Sequence, residues 1–545
     1  MMNTKLSQIL MMLFLIVIGY GAIAQKPGNP GFPFKALESQ VYSTDILIQG
    51  NPNEDQRNAK IVVAPNGFLY AAYIISSGGY KLARSVNGGA TWTHSSLLNT
   101  GYYITAVDLA VTGADTTTMN VWAISSGYNK GSIDVCAVSL AKFNQHMSGK
   151  VETPIDNMIS NYGFPDVAIA TDFAFPSSGS SPFSIGILYS KIGAANDDVI
   201  FKSSADGGTT FSNTQILAST GHYYVNVALA FGRSAALPQG RYFAAWDKQP
   251  MFSYYGSYYG KIYTAHSNTQ FNSSWSVPAQ LDAIGGGFTN GAKNPSIACQ
   301  ADLQNNSSNA FSAVVMYDKM LTANGSNTCV YGVGNANPVA GDVWSTVFST
   351  GTGNIKDMES DVTYDPSNHK FYTTWCDSLN AKLKCAVDGM NLTTGGTWTN
   401  VSDGYNDAAS IANPYPKVKF NAGTMELVHV WDGQRDAFTA NATFDKSFFG
   451  VGIPDAASPS LFSFSISPNP CQAQSKLSFN LDCEELVSAS IYDLAGRMVL
   501  SVPSEFLSSG NHSILLNTSN LVPACYVVKF LAGKKVGFQR LIVIP

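Results

Sequence analysis

Between Ser43 and about Phe448 a unit of roughly 45–70 residues recurs, and such a period confines the chain to an array of small, similar modules. Each unit opens with a short apolar-rich strand. The openings read Lys60-Ile61-Val62-Val63, Asp108-Leu109-Ala110-Val111, Asp166-Val167-Ala168-Ile169 and Asn226-Val227-Ala228-Leu229. They continue with Ser296-Ile297-Ala298-Cys299, Asp361-Val362-Thr363-Tyr364 and Lys417-Val418-Lys419-Phe420. A turn follows, as in Ala64-Pro65-Asn66-Gly67, and then a second strand rich in aromatics. Four second strands end alike, at Trp246-Asp247, Tyr317-Asp318, Trp375-Cys376-Asp377 and Trp431-Asp432. Third strands read as Tyr80–Ser85, Ile133–Ala137, Val199–Ser204, Ile262–His266, Thr328–Val333, Leu383–Val387 and Ala437–Ala442. That makes seven units. The seventh lacks an outermost strand of its own, and Thr44-Asp45-Ile46-Leu47-Ile48 is available to supply it. Closure of this kind removes the exposed sheet edges that an open array carries.

Two turns share the pattern Ser-x-Asp/Asn-Gly-Gly-x-Thr-aromatic: Ser85-Val86-Asn87-Gly88-Gly89-Ala90-Thr91-Trp92 and Ser204-Ala205-Asp206-Gly207-Gly208-Thr209-Thr210-Phe211. The Asn or Asp accepts from nearby backbone N–H groups, and the glycines supply positive φ. The Thr stiffens the exit, and the aromatic ring buries itself between sheets. These turns resemble the Asp-box of sialidase-like β-propellers, with Asn in place of Asp in the first and Phe in place of Trp in the second. The resemblance implies an all-β β-propeller, and the seven units closed by the N-terminal strand read as seven blades, with six as the alternative. It also implies a structural role for Ser85, Asn87, Gly89, Trp92, Ser204, Asp206, Gly208 and Phe211.

At the N-terminus, Lys5, the apolar run Ile9–Ile18 and Ala22-Ile23-Ala24 before Gln25 read as an export signal over 1–24. An extension (25–42) precedes the array (43–448), and a Gly/Pro/Ser linker (449–460) follows it. Residues 461–545 read as a compact antiparallel β-sandwich, small and Ig-like. Within it stand Ser467-Pro468-Asn469-Pro470, Ile491-Tyr492-Asp493-Leu494-Ala495-Gly496-Arg497 and Ala524-Cys525-Tyr526-Val527-Val528. This segment resembles, over its whole length, the sorting domain of the type IX secretion system of Bacteroidota, although Ala524 departs from the usual Gly. The resemblance implies the type IX machinery as a partner, passage across the outer membrane and removal of the domain afterwards. The cargo is then released or held at the surface.

Composition bounds the partners. Charged residues are only 13% of 545, the net charge is −5 and no basic run stands out, which argues against nucleic acid. No later stretch has the length and purity of a membrane helix. Cys376 and Cys385 flank an expected hairpin and are the most plausible disulfide pair of an oxidising compartment, with two buried thiols as the alternative. No CxxC or HExxH occurs, so no metal is expected and the sequence requires no cofactor.

Alternation sends every second side chain of a hub strand inward. The aligned openings therefore put Lys60, Asp108, Asp166, Asn226, Ser296, Asp361 and Lys417 at one position, as a polar ring that could bind a metal, a sugar or only ordered water. On the face opposite the Asp-box turns falls Tyr254-Tyr255-Gly256-Ser257-Tyr258-Tyr259, a platform on which sugar rings can stack. Asp247, Asp318, Asp377 and Asp432 are candidate ligand-facing acceptors at the same mouth, with Arg435 in a nearby loop. The tryptophans beside them read as packing. A sialidase needs three clamping arginines, which Arg57, Arg84, Arg233, Arg241 and Arg435 do not assemble. Other glycoside hydrolases need only two carboxylates, and Asp108, Asp166, Glu359 and Asp361 could supply them. The histidines show no triad-like spacing. The expectation is a secreted or surface-held propeller that binds carbohydrate or another extracellular polymer. A glycoside hydrolase and a surface adhesion protein are the alternatives.

Overall fold

The computed structural model describes residues 41–544 apart from 43–44, 49–50, 52–53, 114–117, 160–165, 173–183, 192–196, 212–213, 221–225, 235–236, 249–259, 269–273, 284–290, 301–312, 323–326, 336–342, 351–356, 367–369, 379–381, 389–398, 401–414, 422–423, 425, 435–439, 449–463, 482–484, 493–497 and 533–534. Among these residues every regular element of the chain is a strand. The contacts divide the chain into two units, Met1–Phe448 and Phe449–Pro545. The expected export signal, the tyrosine run and Arg435 lie outside the described residues.

Among the described residues the first unit holds seven antiparallel sheets, built outward in chain order except at the edge of the last. Their hub strands are Gln56–Val63, Tyr102–Thr112, Val167–Thr171, Val227–Ser234, Ala292–Cys299, Asp357–Asp365 and Lys417–Asn421. We number the sheets by these strands. Each hub strand packs beside the next, and the seventh beside the first, so the array closes on itself. The last sheet borrows its edge from the other end of the chain: Ile46 lies opposite Phe444, and Leu47 opposite Thr443. This is the closure that the spare strand Thr44–Ile48 implied.

Second strands are sandwiched between neighbouring sheets, and their residues follow from that position. Leu69–Ile75 and Ala313–Met320 are buried at every residue, so they read as continuous rather than alternating apolar runs. Trp246, Trp375 and Trp431 are among the largest fully buried side chains, as packing residues should be. Truncating such a ring to Ala costs about 3–5 kcal/mol.

The two Gly-Gly turns join third to fourth strands and are built alike. Ser85 Oγ accepts from Gly89 N–H at 2.8 Å, and Asn87 Oδ1 accepts from Thr91 N–H at 3.0 Å. Ser204 Oγ accepts from Gly208 N–H at 2.8 Å, and Asp206 Oδ1 accepts from Thr210 N–H at 2.9 Å. The Thr210 hydroxyl and N–H hold the Asp206 carboxyl down to about 2. Gly89 and Gly208 have φ of 90° and 85°. A Cβ on Gly89 would meet the Phe444 ring, and one on Gly208 the Trp122 ring, each from the preceding sheet. The closing aromatics pack there too, with Trp92 edge-on to Phe444 at 5.3 Å and Phe211 against the Trp122 cluster. Each turn is therefore a rivet between two sheets.

Cys376 and Cys385 form no disulfide; they are buried thiols, as are Cys136, Cys299, Cys329 and Cys471. The register explains this. Cys376 lies opposite Leu383 and Cys385 opposite Thr374, so the two cysteines are offset by two positions rather than facing each other.

The second unit has a three-stranded sheet (Phe464–Ser467, Gln474–Leu481, Gly510–Asn517) and a four-stranded one (Met498–Leu507, Glu485–Tyr492, Ala524–Ala532, Lys535–Val543). One core joins them, including Phe464, Leu477, Phe479, Ile491, Val528 and Phe530. Asn469, between the two prolines, donates to Arg540 O at 2.6 Å and accepts from Ile542 N–H at 2.9 Å, which ties the opening motif to the last strand. Tyr526 donates to Val522 O at 2.6 Å.

Candidate functional site

The hub strands enter the array through a repeated irregularity. In the first, fifth and sixth sheets a bulge precedes the aligned opening, where two residues (Asn58-Ala59, Asn294-Pro295 and Glu359-Ser360) stand opposite one on the second strand and the pairing register shifts. Asn58, Asn294, Glu359 and Tyr415, each two residues before its opening, have φ of 55°, 53°, 58° and 44°. Asn tolerates this left-handed conformation, whereas Glu and Tyr adopt it at a cost.

The starts of the seven hub strands line one cavity of about 160 Å³ at the hub, on the end opposite the Gly-Gly turns. Space of that size holds on the order of ten waters. Its wall includes all seven aligned residues, Lys60, Asp108, Asp166, Asn226, Ser296, Asp361 and Lys417. Asn58, Asn294, Glu359, Ser360, Tyr415 and Lys419 complete the polar lining. The cations cluster on sheets seven and one, the acids on sheets two, three and six, and neutral polar groups on four and five.

Several of these acids already have structural partners. Asp108 Oδ2 accepts from Ile169 N–H at 3.0 Å, Asp166 Oδ2 from Val227 N–H at 2.9 Å and Asp361 Oδ2 from Val418 N–H at 2.9 Å. In each case the donor belongs to the next sheet, so one carboxylate oxygen stitches adjacent hub strands. Lys417 stands 3.7 Å from Asp361 Oδ1.

The second-strand aspartates form a further layer of stitches. Asp432 accepts from Asn58 N–H at 2.8 Å and Ala59 N–H at 3.1 Å, across the closing seam. Asp318 accepts from the backbone N–H groups of Glu359 and Ser360. Asp247 accepts from Asn226 N–H at 3.0 Å and Asn226 Nδ2 at 2.6 Å. It also accepts from Asn294 N–H, in the next sheet, at 3.3 Å. Asp247, Asp318, Asp377 and Asp432 are all buried, and none lines the cavity. For Asp247, Asp318 and Asp432 the ligand-facing role expected of them gives way to a seam role, because the bulge residues of the next sheet present N–H groups that a buried carboxylate can satisfy.

Electrostatics separates the acids further. Burial pushes Glu359 up to about 7, and the neighbouring Asp318 adds to the shift. Burial raises Asp318 to about 6 against the pull of Lys293, the two N–H groups and Asn294. Burial likewise takes Asp432 to about 7 and raises Asp166. For Asp361, burial raises and Lys417, Lys419 and the Val418 N–H lower, with a net downward shift. Burial and the Lys417 charge lower Lys60. Lys417 itself is lowered by burial but raised more by Asp361, Glu359, Asp108 and Asp166.

None of Arg57, Arg84, Arg233 and Arg241 lines the cavity. Arg57 pairs with Asp55 at 2.8 Å, and Arg84 donates to Gln145 O at 2.8 Å beside the Gly-Gly turn. No group of three or more His, Cys, Asp or Glu able to hold a metal occurs among the described residues. The aligned openings did not reveal Asn294 and Ser360. Comparing the residue two places before each opening would have found the first and its relation to Asn58 and Glu359.

Residues 465–544 match the family model described as the secretion system C-terminal sorting domain. No curated protein sequence matches the chain. Among solved structures, the chain is similar to an α-L-arabinanase of Penicillium chrysogenum, with 11% identity over 74% of this chain and 98% of that one, at a TM-score of 0.44. A polysaccharide lyase, an ulvan lyase, shares 11% identity over 74% and 95% at 0.41. An intramolecular trans-sialidase of Ruminococcus gnavus shares 12% over 75% and 97% at 0.35. Residues 465–544 are thus a type IX secretion C-terminal sorting domain, which marks the protein for export to the cell surface or beyond.

Proposed function

We propose that the chain is a seven-bladed, Asp-box β-propeller, delivered by the type IX system after removal of an N-terminal signal, whose hub cavity binds carbohydrate or another hydroxyl-rich extracellular polymer. The observation that carries this reading is the cavity itself. Seven hub strands contribute ammonium donors, carboxylate acceptors, amides and hydroxyls to one wall. A hydroxyl-rich ligand can both donate and accept at such a wall, whereas an apolar ligand would strand its polar groups. Tyr254, Tyr255, Tyr258, Tyr259 and Arg435 are proposed, on their sequence alone, as mouth-side contacts. The test is a glycan array probed with the full chain, followed by calorimetric titration of the strongest hit. The reading expects saturable binding that Lys60→Ala weakens. Uniformly negative arrays would overturn it.

Hydrolysis is the second reading, and one observation favours it. Glu359 titrates near neutrality while Asp361, two residues on, is held below its ordinary range. A proton donor beside an ionised carboxylate is the division of labour that glycoside cleavage uses. Release of reducing ends by the wild type and its loss in Glu359→Gln would support this reading. No release from any array-positive glycan would dismiss it.

A further inference from the structure

Ser296 and Ser360 are buried, at 4% and 3% exposure, and both line the hub cavity. Neither hydroxyl has a hydrogen-bond partner among the described residues. A buried hydroxyl without one costs on the order of 1–3 kcal/mol. Two of them on adjacent hub strands are a poor choice for a wall that only packs, and each is an unexplained group in the sense that buried polar atoms are otherwise paired. Next to Ser360 in the chain is Glu359, which occupies a left-handed position where the first and fifth sheets use Asn. Asn294 Nδ2 donates to Glu359 Oε1 at 3.2 Å and to Asp318 Oδ2 at 2.7 Å, which fixes the carboxyl in place. Glu359 Oε2 accepts no hydrogen bond from the described residues.

We infer that Ser296, Glu359 and Ser360 form a subsite for the hydroxyl groups of an uncharged sugar residue. The inference rests on the binding reading above and assigns it a place and a ligand class. Its geometry is a three-point one: two hydroxyls that can donate or accept, and one carboxyl oxygen left open by the amide that holds its partner. An anionic sugar would face Glu359, Asp361 and the nearby Asp318, and repulsion of like charges would oppose it. A sugar hydroxyl, which donates as readily as it accepts, suits Glu359 whether or not the carboxyl carries its proton. Lys417, on the neighbouring sheet seven, is already engaged 3.7 Å from Asp361 Oδ1, and Lys60 lies one sheet further round the wall.

The experiment is calorimetric titration of the full chain with three sets of probes. These are neutral tetrasaccharides from arabinan, galactan, mannan and glucan, an oligogalacturonate, and a chitosan tetramer. It is repeated with Ser296→Ala, Ser360→Ala, Glu359→Gln and, as a reference, Asp108→Asn. Each of the first three is expected to weaken the neutral ligand about fivefold or more, the equivalent of one lost hydrogen bond. The two serine variants are expected to keep or raise the unfolding midpoint, since they remove an unpaired buried hydroxyl. A residue that served only the fold would not lower affinity while leaving stability intact. Affinities within twofold of wild type in all three variants would overturn the subsite and leave the binding reading standing. Preference for oligogalacturonate or chitosan would overturn the uncharged class. A wild type that binds none of the probes would overturn both readings together.

Discussion

Two arcs of one hub use the same chemistry for opposite ends. On sheets two and three, Asp108 and Asp166 point into the cavity yet each gives an oxygen to a backbone N–H of the next sheet. On sheets five and six, Ser296 and Ser360 line the same cavity and their hydroxyls give nothing to the described residues. Exposure to a common space therefore does not make groups equivalent. What distinguishes them is whether the fold has already claimed their hydrogen-bonding capacity. Position in the ladder does not decide this: Ser296 sits in it, opposite Met316, as Asp108 sits opposite Ile124, whereas Glu359 and Ser360 fall at a register shift outside it.

The comparison can be broken most forcefully at the seams. Asp432→Ala should cost about 3–5 kcal/mol in urea unfolding, because it strands two buried N–H groups where the chain's ends meet. Asp432→Asn keeps one acceptor and should cost about half as much. A loss below 1 kcal/mol in the alanine variant would show that the seam does not depend on this carboxylate. Gly208→Ala comes next. It forces a side chain to φ of 85° against the Trp122 ring, and about 2–3 kcal/mol should be lost in the same assay.

Asp108→Asn sharpens the contrast between the arcs. Its amide can still accept from Ile169 N–H, so about 1–2 kcal/mol of stability should go while ligand affinity changes less than about threefold. A larger fall in affinity would move Asp108 into the ligand site. The smallest effect concerns pH. Asp318, Glu359 and Asp432 keep their protons in the folded state up to about 6, 7 and 7, against ordinary values of 3.8, 4.5 and 3.8. The folded chain thus binds more protons than the unfolded one across that window, and stability falls as pH rises from about 5 to about 8. His429, buried and pushed down to about 3 from 6.5, has the opposite slope and blunts the gain on the acid side. Asp432→Asn should flatten the midpoint's fall between pH 6 and pH 8, and an unchanged slope would remove Asp432 as its source.

The wheel of sheets was legible because each unit repeats the same local compromise. An apolar opening, a turn and an aromatic second strand recur at every sheet, and the spare strand Ile46–Leu47 pairs where the missing edge required it. The hub ring was legible for the same reason, since alternation alone carries Lys60, Asp108, Asp166, Asn226, Ser296, Asp361 and Lys417 to one wall. Roles were harder. Asp247, Asp318 and Asp432 stood out in the sequence as a recurring aromatic-Asp ending, but nothing local says that an insertion in the next unit will present N–H groups to them. The supposed Cys376–Cys385 bridge failed on register, which spacing along one hairpin does not specify. Ser360 was invisible because only the inserted pair, not the alternating pattern, turns it toward the hub.

The most direct test is a crystal structure of the chain with a bound array-positive oligosaccharide. The account predicts sugar density in the hub within hydrogen-bond distance of Ser296 Oγ, Ser360 Oγ and Glu359 Oε2. Sugar density only on the outer faces, with ordered water filling the hub, would contradict it.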